Sequence, residues 1–112
     1  MTDREMLELA AKAAGYDVLW HDVWECFVHT NSQNHTNPEV WIPLDDDGDA
    51  LRLAVKLNMA LTFSADGNCH AEGLNGEYAC ECSSDPFAAT RLAIVRAAAE
   101  IGKVMLKERN NE

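Results

Sequence analysis

Apolar residues recur at the spacing of an amphipathic helix in three stretches of the chain. This spacing predicts helices over residues 3–14, 47–58 and 86–107. The first stretch begins with the capping residue Thr2 and ends at Gly15, which is suited to a left-handed helix end. The last stretch begins with Asp85 before Pro86, and we expect a frayed tail over residues 108–112.

Aromatic and β-branched residues, partly alternating with polar ones, mark two further regions as strands. Residues 16–29 predict two short strands joined near His21 and Asp22. Residues 60–82 predict a meander of two or three strands separated by turn sequences. Residues 30–38 are polar or turn-forming throughout, which is typical of a surface loop.

The predicted order of elements is α-ββ-α-ββ(β)-α within one domain, residues 1–112. Because strands follow one another in adjacent groups, an antiparallel sheet is favoured over a doubly wound parallel one. The sequence therefore predicts an α+β fold, with helices packed in layers on a mainly antiparallel sheet.

Composition narrows the function classes. The 112 residues are 47% hydrophobic and 25% charged, which is ordinary for a globular protein. Nine Lys and Arg against nineteen Asp and Glu give a net charge of −10, which argues against direct binding to nucleic acid or anionic lipid. With neither an apolar signal segment nor a spanning segment, we expect a cytoplasmic protein with free thiols.

The acidic residues are concentrated before residue 84. No Lys or Arg occurs between Lys12 and Arg52, nor between Lys56 and Arg91. Such stretches predict a strongly negative surface, whose simplest role is solubility. As a partner-binding surface it would involve Asp17, Trp20, Asp22, Trp24, Glu25, Asp45, Asp46 and Asp47.

Three tryptophans are anchors of the predicted sheet. We expect Trp20, Trp24 and Trp41 to form its core against the third helix. One left exposed would instead mark a surface for a partner.

A cluster of soft ligands suggests a zinc site. Cys80 and Cys82 are two residues apart on a predicted strand, so both point to one face, and Cys69 and His70 lie on the adjoining segment. The Cys-x-Cys spacing is not that of a zinc finger, and the alternative is that Cys80 and Cys82 are small residues on the buried face. We expect no cofactor unless these four residues bind zinc.

Other chemistry finds weaker support. The acids at 45–49 do not fit an EF-hand, because the sixth and twelfth positions would be Ala50 and Lys56. They are placed instead to cap the second helix. The scattered histidines, His21, His29, His35 and His70, match no nucleophile motif, and we expect no enzyme activity.

Three blocks of sequence resemble one family. They are Trp41-Ile42-Pro43-Leu44 with the following Asp46-Asp47-Gly48-Asp49-Ala50-Leu51-Arg52-Leu53-Ala54, residues 85–102, and residues 7–15. Together they resemble the phage alpha-beta-alpha sandwich domain. The resemblance implies a phage or prophage protein with no general activity assigned to its family, and it transfers no catalytic residues.

These observations lead to one functional hypothesis and two alternatives. The first is an acidic accessory protein that binds a host or phage protein with a basic surface, and so inhibits a nucleic-acid-handling or defence factor. The alternatives are a small zinc-binding domain and a structural phage protein. Apolar faces on the second and third helices would also permit a homodimer.

Overall fold

A computed structural model describes residues 1–30 and 39–110 of the chain. Within these ranges there are three helices: α1 (Asp3–Ala14), α2 (Asp47–Lys56) and α3 (Pro86–Asn110). The strands are β1 (Val18–His21), β2 (Cys26–His29), β3 (Val40–Trp41), β4 (Ala60–Phe63), β5 (Asn68–Glu72) and β6 (Tyr78–Cys82). The predicted α+β class is confirmed, and β3 is an addition to the predicted order.

The helices begin at the predicted capping residues. The Thr2 hydroxyl accepts a hydrogen bond from the Glu5 amide at 3.1 Å, and Asp46 accepts one from the Asp49 amide at 2.8 Å. Asp85 accepts bonds from the amides of the first turn of α3. These contacts satisfy amides that have no partner inside the helix, so local sequence fixes where each helix starts.

The helix ends agree less closely. Gly15 closes α1 with a left-handed φ of 73°, as predicted. α2 ends at Lys56, two residues before the predicted end. α3 continues to Asn110, so residues 108–110 of the predicted tail are helical, whereas residues 111–112 lie outside the described residues.

The strands form two separate sheets rather than one. The N-terminal sheet has the order β1-β2-β3 and the C-terminal sheet the order β4-β5-β6, and both are antiparallel throughout. Each sheet is a meander, so every strand pairs with its neighbour in sequence. The predicted hairpins are therefore confirmed, but they do not join into a single sheet.

α3 separates the two sheets because it is buried on two sides. One side, with Ile94, Val95 and Ala98, packs with α1, α2 and the inner face of the N-terminal sheet. The other side, with Ala93 and Ala97, packs against the C-terminal sheet. A helix with apolar residues on two sides can pack against two layers at once.

Close approach of α1 and α3 depends on one glycine. A Cβ atom built at Gly102 would lie 2.1 Å from the backbone oxygen of Leu9. With the alanines of both helices, this missing side chain brings the two backbones together.

The predicted loop over residues 30–38 falls almost entirely outside the described residues, as does His35. Its first residue, Thr30, donates hydrogen bonds from its amide and hydroxyl to the backbone oxygen of Asp17. In the part of the chain that the structure describes, no helix is long and apolar enough to cross a membrane.

Candidate functional site

The outer face of the N-terminal sheet carries a row of apolar side chains. The register places Leu19 opposite Val28 and Val28 opposite Val40, so the three residues cross the sheet side by side. Leu19 is 63% exposed and Val40 37% exposed. Their neighbours along each strand point inward, because side chains alternate between the two faces. The result is an apolar strip on the side of the sheet that faces away from the core.

A tryptophan extends this strip at the β1–β2 turn. Trp24 is 49% exposed, and its ring stacks on His21 with centroids 4.3 Å apart. The Trp24 amide also donates a hydrogen bond to Nδ1 of His21 at 3.1 Å. Glu25 closes the turn with a left-handed φ of 51°. We call Leu19, Trp24, Val28 and Val40 the outer patch.

Exposed carboxylates lie before the strands of the N-terminal sheet, in its β1–β2 turn and after β3. The exposed acids of this region are Asp17, Asp22, Glu25, Glu39 and Asp45. No Lys or Arg occurs from residue 13 to residue 51, so no basic residue of the sheet itself offsets them. Arg4 approaches from α1, but its guanidinium lies over the Trp20 ring, 4.5 Å from the centroid. The N-terminal sheet therefore combines an apolar strip with exposed carboxylates at the ends of its strands.

The structure divides the predicted partner-binding residues into two groups. Exposed in or next to the N-terminal sheet are Asp17, Asp22, Trp24, Glu25 and Asp45. Trp20, by contrast, points to the inner face, where its ring packs edge-on against Phe27 at 5.1 Å. Trp20 therefore belongs to the core side of the sheet.

Asp46 and Asp47 have structural roles at the start of α2. Asp46 caps the helix, as described above, and Asp47 forms an ion pair with Arg91 of α3 at 2.6 Å. Asp49, which is buried, accepts a hydrogen bond from the Ile42 amide at 2.9 Å and one from Arg52 at 2.7 Å. The predicted capping role of this acidic cluster is thus confirmed, and the cluster also fastens α2 to the segment after β3.

Two of the three tryptophans lie in or against the core, as predicted. Trp41 is 2% exposed and belongs to the main core with α3, and Trp20 packs against that core. The core prediction is wrong for Trp24. It lies in a turn, where neither strand alternation nor helix packing directs the side chain inward.

Sequence reasoning did not identify Leu19, Val28 and Val40 as a surface. Each is an ordinary strand residue, and their alignment depends on the register of three strands. The only available signal was the alternation of Leu19 and His21 with Trp20, which requires one of the two sets to face outward.

The C-terminal sheet separates the four predicted zinc ligands. Cys69 is 1% exposed and packs on the inner face against α3. His70, Cys80 and Cys82 are on the outer face, where both Cys80 and Cys82 are exposed. The structure therefore does not bring Cys69 together with the other three residues. It also overturns the alternative that Cys80 and Cys82 are buried.

The outer face instead assembles a different cluster. His70 pairs with Cys80 in the strand register, and Nε2 of His70 lies 3.9 Å from Sγ of Cys80. Nδ1 of His70 is hydrogen-bonded to the hydroxyl of Tyr78. The two strands thus place a thiol, an imidazole and a phenol side by side in a row. Tyr78 was not among the predicted site residues.

The surroundings of the thiols and of Tyr78 affect their protonation. Burial raises the pKa of Cys69 and of Cys26, so both thiols stay protonated at neutral pH. Desolvation, with the nearby Cys80 and Glu72, raises the pKa of Tyr78. In residues 1–30 and 39–110, no group of three or more His, Cys, Asp or Glu is arranged to hold a metal ion.

A second apolar surface lies between α2, β4 and the start of α3. Leu51, Phe63 and Phe87 are each more than half exposed and line one shallow cavity. They lie on or beside the helices whose apolar faces would permit a homodimer, and no charge pattern at the cavity indicates a particular occupant.

Comparisons with protein-family models, curated proteins and solved structures find no match for this chain. The resemblance to the phage alpha-beta-alpha sandwich domain therefore stays a prediction, and the functional argument rests on the geometry of the two outer faces.

Proposed function

We propose that this protein acts by stoichiometric binding to another protein, through the outer patch and the exposed carboxylates of the N-terminal sheet. The observation that carries the proposal is the apolar row Leu19–Val28–Val40, whose two outer members are exposed, in a region that has no Lys or Arg. An exposed apolar surface with a charged border is typical of protein interfaces.

The two parts of this surface have different roles in binding. Apolar side chains supply affinity, since burying a leucine side chain fully stabilises a complex by about 1.5–3 kcal/mol. Trp24 is suited to be an anchor, because tryptophan is enriched among the residues that dominate binding energies. The carboxylates select the partner and accelerate its approach.

The partner is expected to carry an apolar ridge bordered by Lys and Arg. Basic surfaces of this kind are common on proteins that bind nucleic acid, where they contact phosphates. An acidic protein that occupies such a surface excludes the nucleic acid. The resemblance to a phage family gives the proposal its specific form, the inhibition of a host nucleic-acid-handling or defence factor.

Two matched leucine variants test the surface. Leu19→Ser changes the outer patch, whereas Leu74→Ser changes a leucine that is 74% exposed in the turn before β6. Each variant and the wild type are used to capture proteins from a bacterial lysate, with washes at low and high salt. Because salt screens charges at a surface, we expect a basic protein that is retained at low salt and released at high salt.

The variants should differ in what they retain. Wild type and Leu74→Ser should capture the same basic protein, and Leu19→Ser should lose it. The captured protein, once purified, should bind DNA or RNA less well when the acidic protein is added. Equal capture by Leu19→Ser, or binding that salt does not weaken, would contradict the proposal.

A further inference from the structure

A thiol, an imidazole and a phenol meet on the solvent-facing side of the C-terminal sheet. Cys80 and Tyr78 lie on β6 and alternate with the buried Ala79, so both point outward. His70 lies on β5 directly opposite Cys80. The protein-binding surface proposed above does not use this cluster.

The contacts order the three groups in a line. Sγ of Cys80 is 3.9 Å from Nε2 of His70, within the range for a hydrogen bond to sulfur. The other ring nitrogen, Nδ1, bonds to the Tyr78 hydroxyl. If Nδ1 carries the proton and donates it to the Tyr78 oxygen, the lone pair of Nε2 faces the thiol. Tyr78 then holds the ring in the tautomer that can accept the thiol proton.

We propose that Cys80 is a reactive thiol that exchanges with low-molecular-weight disulfides, with His70 as the base and Tyr78 as a positioning residue. His70 takes the proton of Cys80, and the thiolate attacks one sulfur of the disulfide. A bond forms between that sulfur and Sγ, and the disulfide bond breaks. The leaving thiolate receives the proton from His70, so Cys80 is oxidised to a mixed disulfide and one thiol is released.

Charge near the cluster selects the kind of disulfide. Glu72 lies opposite Tyr78 in the register, and Asp66 is near enough to His70 for their charges to interact. The chain as a whole carries a net charge of −10. Cationic disulfides such as cystamine are therefore attracted, and anionic ones such as oxidised glutathione are repelled.

Cys82 provides a control within the same strand. It is exposed on the same face as Cys80, but its register partner is Asn68 rather than a histidine. Cys82→Ser leaves Cys80 as the exposed thiol of β6, and Cys80→Ser leaves Cys82. Both changes are at the surface, so neither removes a core contact.

The experiment measures the rate at which each variant forms a mixed disulfide with cystamine at neutral pH, by mass spectrometry of the intact protein. We expect Cys80 in the Cys82→Ser variant to react about tenfold faster than Cys82 in the Cys80→Ser variant. This factor is smaller than the roughly 10²–10⁴-fold typical of general acid–base catalysis, because this cluster is exposed to solvent. Cystamine should also react faster than oxidised glutathione with Cys82→Ser, and added salt should reduce that difference.

Substitutions of the neighbours separate chemistry from structure. His70→Gln, combined with Cys82→Ser, should lower the Cys80 rate to that of Cys82, because glutamine cannot take the proton. Combined with Cys80→Ser, the same substitution should leave the Cys82 rate unchanged. Tyr78→Phe should slow Cys80 by a smaller factor. Equal rates for the two thiols, or a Cys80 rate that His70→Gln does not change, would overturn the proposal.

Discussion

The two sheets share a topology but are packed by opposite means. Each is a three-stranded antiparallel meander. The C-terminal sheet packs directly against α3, whereas the N-terminal sheet shares a core with residues of all three helices. The inner face of the N-terminal sheet carries large aromatic rings, with Phe27 and Trp41 in the core. The buried residues on the inner face of the C-terminal sheet are small: Cys69, Ala71 and Ala79 lie against the alanines of α3, with the partly buried Leu61 packed beside them. The same topology is therefore compatible with a core of bulky side chains and with close contact between backbones.

The outer faces differ as well, and the two proposals rest on that difference. The N-terminal sheet presents apolar side chains and has exposed carboxylates at the ends of its strands, which suits binding to another protein. The C-terminal sheet presents His70, Tyr78 and two exposed thiols, which suits chemistry at sulfur.

The largest expected effect on stability comes from removing a buried aromatic ring from the core behind the N-terminal sheet. Trp41→Ala should lower the free energy of unfolding by about 3–5 kcal/mol, because it removes a fully buried ring and leaves a cavity. Trp24→Ala is the matched control, and its cost should stay below about 1 kcal/mol because the ring is half exposed. Urea unfolding of the two variants measures the difference. Equal losses would mean that Trp41 is not a core residue.

The opposite change tests the close-packed sheet. Ala71 is fully buried, so Ala71→Leu should lower the free energy of unfolding by about 1–3 kcal/mol through overpacking against α3. Ala60→Leu places the same side chain at an exposed position of the edge strand β4 and should change stability by less than about 0.5 kcal/mol. If Ala71→Leu left the free energy of unfolding unchanged, there would be room for a larger side chain between this sheet and α3, which contradicts the close packing described here.

The smallest effect concerns acid stability of the β4–β5 turn. Hydrogen bonds from Ser64 and Asn68 to Asp66 lower the pKa of this carboxyl below its ordinary 3.8. A group with a lowered pKa in the folded state stabilises the fold above its unfolded pKa, and this contribution disappears as pH falls through the folded pKa. Asp66→Asn should therefore be slightly less stable than wild type at neutral pH.

Acid should remove that difference. Unfolding by urea at a series of pH values should show the stabilities of wild type and Asp66→Asn converging below pH 3.8. Ser64→Ala removes the largest cause of the lowered pKa. In that background, Asp66→Asn should therefore cost less stability at neutral pH than it does in the wild type. A constant gap between wild type and Asp66→Asn across the series would show that the charge of Asp66 is not its source.

Sequence alone determined the local structure. The starts of all three helices follow from Thr2, Asp46 and Asp85, because a capping side chain acts on amides only two or three residues away. The β1–β2 turn and the two turns of the C-terminal sheet were equally local. Exposure of Asp17, Asp22, Glu25 and Asp45 also followed from the sequence, since isolated carboxylates are seldom buried.

Only the tertiary structure decided which face of each strand meets the core. The two-residue period places Cys80 and Cys82 on one face, but it does not say whether that face meets α3 or solvent. The structure turns them outward because they share a face with the large or charged His70, Glu72 and Tyr78. The opposite face has the small Cys69, Ala71 and Ala79, which allow close contact with α3. Both outer faces, with the apolar row of one and the His70–Cys80 pair of the other, exist because strand register and helix packing join residues that are far apart in the chain.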